Sequence, residues 1–424
     1  MNYNGFLDST ADGVLRGWAI DSSRANEPVS VTLTLSSGWT TSVLADEFRP
    51  DLRAAGLGNG HHGFTYSLPP SEKPSLVSAK ITGTAFELHG SPAPVAEIPL
   101  LELVAGDIVS NCNLRCPFCI VDYEMIRGLN QMPFATFEKC LSLLPLVPDG
   151  RFWVSCMHEP TLHAEFPKIL EAVPADLRRK ISFTSNLCKR MPPDTLRRIA
   201  QSGVHSIRVS FDSMNPDLFG QLRKGGRFEV FIENLRQIAE FSRTAPRPIP
   251  LHVITMAFRE NAAEIPDLVR RCREEFGAHS HEVRFMSYAP HLADWGEAHN
   301  LSLEQWRSLK SAVQAQSPDT AFGDPPDDVH QQFHDRRGLE HYQHPPAVFG
   351  GTATPANYQL ADPLKSGFPV PDEKLRLRLR WDGLLMAEQL PEDEFRINIL
   401  DLPDPRAYFL ALRNAGAAAS ATAS

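Results

Sequence analysis

Three cysteines within eight residues constrain this chain more than anything else in it. The stretch Cys112-Asn113-Leu114-Arg115-Cys116-Pro117-Phe118-Cys119 spaces them C-x3-C-x2-C, directly after the apolar run Leu101–Ser110. Three thiolates this close can hold three irons of a [4Fe–4S] cluster and leave the fourth without a protein ligand. An iron with an open position can bind a small molecule and react with it. The competing reading is a zinc site. Zinc prefers four closed ligands, and no second cysteine pair lies at a matching spacing. A disulfide pairing leaves one of the three over.

The spacing, with Phe118 just before the last cysteine, resembles the signature of the radical SAM enzymes. That resemblance implies S-adenosylmethionine (SAM) chelated at the open iron through its amino and carboxylate groups. It also implies reductive cleavage of the sulfonium and hydrogen abstraction from substrate by a 5′-deoxyadenosyl radical. An external electron donor of flavodoxin or ferredoxin type would supply the electron.

The bulk properties set limits. A chain of 424 residues holds two or three domains. Net charge is −9 with no long basic block, which argues against nucleic acid as the main partner. Met1–Gly13 is polar and shows no apolar core of a secretory signal. No apolar run approaches the roughly 18 residues of a membrane span. A reduced, cytoplasmic setting is expected, and it suits an oxygen-sensitive cluster.

The expected architecture is α/β: a partial (β/α)6 barrel of TIM type preceded by an all-β sandwich. Residues 1–98 hold no cysteine and read as short strands bounded by turn residues. In Val29–Leu35 the apolar positions Val29, Val31, Leu33 and Leu35 alternate with Ser30, Thr32 and Thr34. Gly5-Phe6-Leu7-Asp8, Gly17-Trp18-Ala19, Arg49-Pro50-Asp51-Leu52 and His62-Gly63-Phe64 punctuate the segment. This set resembles a β-sandwich module attached to bacterial glycosyltransferases and other surface-glycan enzymes. Trp18, Phe64 and Tyr66 read as core aromatics, with sugar stacking as the alternative. Arg49 and Asp51 read as a buried turn pair, and Pro92–Pro99 as a linker.

Residues 99–290 alternate short strands with amphipathic helices. Strands are expected at Glu102–Ser110, Phe152–Cys156, Ile181–Thr184, Ser206–Phe211, Pro250–Met256 and Glu282–Met286. Reactive residues of such sheets cluster at the strands' carboxyl ends, and the cysteines follow the first strand. After the second, Ser155-Cys156-Met157-His158-Glu159-Pro160 resembles the family's Gly-Gly-Glu-Pro, which implies that Glu159 holds the SAM amino group. Cys156, Met157 and His158 depart from the usual glycines. His158 reads as a packed, hydrogen-bonded residue, with substrate approach as the alternative. After the third strand, Thr184-Ser185-Asn186 puts Ser185 and Asn186 at a family SAM-contact position. Ser210-Phe211-Asp212-Ser213 resembles the family's Ser-Leu-Asp-Gly, with Ser210 toward the SAM carboxylate or ribose. Arg223 matches an arginine that pairs that carboxylate. Val253–Met256 followed by Asn261 continues the pattern. Met286 and Phe118 are expected to pack on adenine. Cys140 and Cys272 fall on apolar helix faces and read as packing residues. Cys156 and Cys188 also read as packing thiols, with hydrogen-atom donation as the alternative.

Beyond residue 290 the regularity fades. Leu301–Ala315 reads as a helix with Trp306, Leu309 and Val313 on one face. Residues 317–371 read as a solvated loop over the barrel mouth. The spacing of its His330, His334, His341 and His344 fits no compact ligand set. Leu375–Trp381 reads as a half-buried strand turned back by Asp382-Gly383 into Leu384–Ala387. A helix near Asp404–Arg413 follows, and 415–424 reads as a disordered tail. This order in residues 291–414 resembles the SPASM-like extension of peptide- and protein-modifying radical SAM enzymes. That extension normally binds auxiliary clusters through many cysteines. None occurs after Cys272, so one cluster is expected. The substrate reading is glycan-related or, alternatively, a peptide. A zinc scaffold docking a glycosyltransferase is the non-catalytic alternative.

Overall fold

A computed structural model describes residues 2–10, 14–68, 75–95, 98–124, 126–286, 289–323, 360–366, 374–390 and 395–423. The chain divides into two compact units, Met1–Leu100 and Leu101–Ser424.

The described residues of the first unit form eight strands: β1 (Tyr3–Ser9), β2 (Val14–Asp21), β3 (Val29–Leu35), β4 (Thr40–Ala45), β5 (Glu47–Phe48), β6 (His61–Ser67), β7 (Ser75–Ile81) and β8 (Ala93–Val95). They form two four-stranded antiparallel sheets, ordered β1-β2-β6-β5 and β4-β3-β7-β8. The period-two pattern of β3 explains the layering. Val31, Leu33 and Leu35 enter one core with Leu15, Phe64 and Val77, while the Thr32 hydroxyl bonds Thr82 outside at 2.8 Å. Gly17 is required where it stands, because a Cβ there would lie 2.6 Å from the Phe64 ring. Phe64 is fully buried, whereas Trp18 and Tyr66 are only half-buried.

Two expectations fail here. Ala93–Val95, placed in a linker, pairs with β7 as a strand. Arg49 and Asp51 are not buried: their side chains are 31% and 60% exposed, and Arg49 bridges Asp51 and Asp8. At the surface this cluster avoids the desolvation cost of a buried pair.

The second unit is built on one sheet: β9 (Leu101–Gly106), β10 (Phe152–Trp153), β11 (Ile181–Ser185), β12 (Ser206–Ser210), β13 (Leu251–Met256), β14 (Ser280–Arg284), β15 (Ala321–Gly323), β16 (Leu375–Leu379), β17 (Leu384–Ala387) and β18 (Arg396–Asn398). Its order is β15-β14-β13-β12-β11-β10-β9-β16-β17-β18. Strands β9 to β15 are parallel in sequence order, and β16 pairs in parallel on the other side of β9. The curled parallel sheet with intervening helices is the expected partial barrel, extended by β15 and by the C-terminal hairpin. Along β12, Ile207 and Val209 are buried beneath the helices while Arg208 and Ser210 are half-buried on the opposite, lumen face. Successive side chains of a strand alternate between faces.

Most strands are shorter at their carboxyl ends than expected. Residues 107–110, 154–156 and 211 leave the ladder to shape loops. The helix starting at Phe134 stops at Cys140 and tightens into a 3-10 turn to Leu146 that contains Pro145, since proline cannot continue the α-ladder. Residues 415–423, expected as a tail, belong to a helix that runs Pro405–Ala423, as its alanine-rich sequence favours. Most of the 317–371 segment, including the four histidines, lies outside the described residues. Among the described residues no helix is long and apolar enough to cross a membrane.

Candidate functional site

The strands' carboxyl ends bring most of the expected residues to one cavity. It is lined by Cys112, Cys116, Cys119, Glu159, Ser185, Asn186, Ser210 and Arg223, together with Tyr123, Cys156 and His158. Phe118 and Met286 lie beside it in an apolar cluster with Phe258 and Leu222. The Phe118 ring centroid is 4.8 Å from that of Phe258 and 5.7 Å from that of Trp295.

The cysteine loop is held by its own backbone and by neighbouring amides. Leu114 N–H donates to Cys112 Sγ at 3.4 Å, and Asn186 Nδ2 donates to the same sulfur at 3.3 Å. Arg115 N–H donates to the Lys224 carbonyl at 2.8 Å, tying the loop to the turn after Arg223. Burial pushes the Cys112 and Cys119 thiols up to about 12. Loading a metal therefore has to displace their protons.

Glu159 is buried and serves as an acceptor hub. Its Oε1 accepts from Thr161 N (3.2 Å), Thr161 Oγ1 (2.6 Å) and Ser185 Oγ (2.8 Å), and its Oε2 from Asn186 N (2.7 Å). Burial raises its pKa while these donors oppose the rise. The turn it grips is strained: Leu187 takes φ +50°, a region costly for a side chain with Cβ. Asn234 Nδ2 holds that turn open by donating to the Leu187 and Lys189 carbonyls at 2.8 Å each.

Arg223 is committed at one end. Its Nε donates to Asp212 Oδ2 at 2.5 Å, and its Nη1 reaches 4.0 Å from Cys116 Sγ. Asp212 also accepts from Met256 N at 2.8 Å, and Asn261 Nδ2 ties the Asp212 and Met256 carbonyls together at 2.9 and 2.8 Å. Asn261 thus braces two strand ends and is not a lining residue.

Three contributors are not among the expected residues. Asp107 Oδ1 accepts from the backbone N–H groups of Cys156, Met157 and His158 at 3.0–3.1 Å. A carboxylate capping three amides shapes a loop that has lost the family's glycines. Asp212 orients Arg223. The Tyr123 hydroxyl donates to the Met157 carbonyl at 2.9 Å and lies 3.0 Å from His158 Nδ1. His158 is buried and hydrogen-bonded, the packed reading. The two cavity-side thiols separate: Cys156 lines the cavity, while the Cys188 thiol donates to the Asn186 carbonyl at 3.2 Å. Cys140 and Cys272 are fully buried.

Donor chemistry tests what the cavity can hold. Among the described residues no three His, Cys, Asp or Glu side chains converge on a single ion. A closed zinc site needs donors about 2.3 Å from one point. Three thiols lining one cavity suit a polynuclear cluster. A buried carboxylate and a guanidinium on the same cavity suit the ammonium and carboxylate of an amino-acid group.

Residues 108–272 match the model of the Radical SAM superfamily. The chain carries a radical SAM domain. That family uses a [4Fe–4S] cluster and SAM, and both suit the donors just described. Among curated proteins the chain is 26% identical over 171 residues to a probable GTP 3′,8-cyclase of Methanocaldococcus jannaschii, covering 39% of this chain and 53% of that one. It is 27% identical over 196 residues to the GTP 3′,8-cyclase of Streptomyces coelicolor, covering 45% and 53%. The chain therefore spans about half the length of the curated relatives it matches. Among solved structures it is similar to Streptococcus suis SuiB bound to precursor peptide SuiA, at 14% identity and TM-score 0.48 over 74% of this chain and 66% of that one. It is also similar to methylornithine synthase (PylB), at 16% identity and TM-score 0.36 over 52% and 64%.

Proposed function

We propose that the chain is a radical SAM enzyme working with one [4Fe–4S] cluster held by Cys112, Cys116 and Cys119. The observation that carries this reading is their shared cavity with Glu159, Ser185, Asn186, Ser210 and Arg223. The chemistry such a cofactor pair supplies when bound is reductive cleavage of SAM to a 5′-deoxyadenosyl radical for hydrogen abstraction.

The protein's own residues divide the binding. Glu159 offers the charge for the ammonium group, oriented by Thr161, Ser185 and the Asn186 amide. Arg223, anchored on Asp212, turns its remaining nitrogens toward the carboxylate. Ser210 and Asn186 add polar contacts, and Phe118 and Met286 form the apolar wall for adenine. Burial excludes water, which protects a reactive radical. A flavodoxin- or ferredoxin-type donor in a reduced, cytoplasmic setting supplies the electron.

The finer reading puts the substrate in surface-glycan metabolism, supported by the resemblance of residues 1–98 to a glycosyltransferase-associated module. A peptide substrate is the alternative, supported by the hairpin β16–β17 and the helix after it, in the order of a SPASM-like extension. The relatives named GTP 3′,8-cyclase add a nucleotide to the candidates.

Anaerobic reconstitution tests the core claim. Brown protein given dithionite and SAM is expected to release 5′-deoxyadenosine. A loaded cluster that releases none with any candidate substrate overturns the reading. Colourless protein holding one zinc per chain after reconstitution favours the scaffold.

A further inference from the structure

The lumen face of the barrel carries more positive charge than the proposed chemistry uses. Register aligns Thr184 with Arg208, Arg208 with His252, and His252 with Ser280 across β11 to β14. Arg208 therefore stands on the face of Ser210, one pleat deeper, about 7 Å along the strand. Its guanidinium lies 4.7 Å over the Trp153 ring on β10.

Counter-charge in this region is shared thinly. Glu282 is held by Arg284 through two bonds of 2.8 Å, and Arg208 reaches the same carboxylate only at 3.7 Å. On the other side, Arg376 and Arg378 share Glu388 at 2.8 and 2.6 Å. Asp107 is occupied by its three amides. Among the described residues Arg208 Nε is buried with no acceptor. A buried donor left unmet is costly, and burial draws the guanidinium's pKa down. Stacking on Trp153 does not meet the need, because the N–H bonds point out of the ring-facing direction, in the guanidinium plane. His252 adds no charge near neutral pH, since burial holds it down to about 4. The cysteine cavity lies nearby: Ser210, which lines it, stands on the same face of β12 as Arg208.

We propose that Arg208, stacked on Trp153, holds an oxyanion of the substrate, a carboxylate or a phosphate, inside the barrel. The inference rests on the barrel being the reaction chamber proposed above. A planar guanidinium meets either oxyanion through paired N–H bonds. The substrate is thereby an anionic small molecule whose reacting carbon sits between this anchor and the cysteine end.

Thermal melts of the full, reconstituted chain test it, with inorganic phosphate in one series and acetate in another, chloride holding ionic strength constant. A saturating rise in Tm with phosphate assigns a phosphoryl group; one with acetate assigns a carboxylate. Arg208→Met is expected to weaken the apparent Kd about tenfold or more. Arg208→Lys, which keeps the charge but loses the fork, falls between; it serves if the methionine variant does not fold. The proposal is overturned if neither anion raises Tm above chloride, or if both Arg208 variants respond like the parent. Release of 5′-deoxyadenosine by the parent is measured in parallel. Its absence counts against the radical chemistry alone, and a missing anion response counts against this anchor alone.

Discussion

The two units bury opposite things. The interior of the first is apolar, built from Leu15, Val31, Leu33, Phe64 and Val77, and among its described residues Asp21 and His62 are the buried polar ones. The second buries Glu159, Asn186, Asp212, Arg223 and Asn261 at its strand ends. Polar burial is costly unless every group finds a partner. At these strand ends it is met by a dense set of hydrogen bonds. One unit devotes its sequence to packing, the other to fixing charges where a reaction needs them.

The comparison breaks or sharpens under five measurements. Cys116→Ala is expected to abolish the visible absorbance and all 5′-deoxyadenosine release, because the thiolates hold the cluster; retained brown colour sinks the ligand assignment. Phe64→Ala should cost the first unit about 3–5 kcal/mol, read as an earlier urea transition, while 5′-deoxyadenosine release stays unchanged. Activity lost in step with that transition would show that the packing unit serves the chemistry after all. Glu159→Gln puts an amide against buried donors and should destabilise the second unit by ~1–3 kcal/mol, with weaker SAM binding in calorimetry. Unaltered binding would make Glu159 structural only.

The fourth measurement is a pH series. Burial holds His252 down to about 4 and His281 to about 3, while in the unfolded chain both titrate near 6.5. Between those values the unfolded state binds more protons, so stability must rise with pH. Lowering pH from 7 to 5 should cost the second unit on the order of 2 kcal/mol through buried His281 and a smaller amount through half-buried His252, and His281→Gln should remove the larger part of the slope; a flat parent profile refutes the assignment. The smallest effect is expected from Asn186→Ala, which removes the N–H donated to Cys112 Sγ. Such bonds favour the reduced cluster, so its midpoint should move negative, as followed by a potentiometric titration.

Much of this is legible in the amino-acid sequence. Period-two alternation locates β3 and β16, and residue types at strand ends name Glu159, Ser185, Ser210 and Arg223. What escapes a reading of the sequence depends on partners distant in the chain. Asp107 bonds amides near residue 157 that no side-chain pattern encodes. Asp212 is visible only as part of a motif, and its pairing with Arg223 depends on how the loop before Pro216 turns. Arg49 reads as buried because a turn motif says nothing of which side faces solvent. The last turns of the terminal helix read as a tail because alanine and serine look like linker composition until helix propensity is weighed.

The position of β16 has a consequence for how the protein is made. β9, which leads into the cysteines, is flanked by β10 on one side and by β16 on the other. That second neighbour is contributed from beyond residue 374. While the ribosome is still making the middle of the chain, β9 therefore presents an unpaired edge. Such long-range pairing is slow and leaves nascent edges exposed. The strand that leads into the cysteine loop is therefore paired on both sides only once the C-terminal hairpin has emerged.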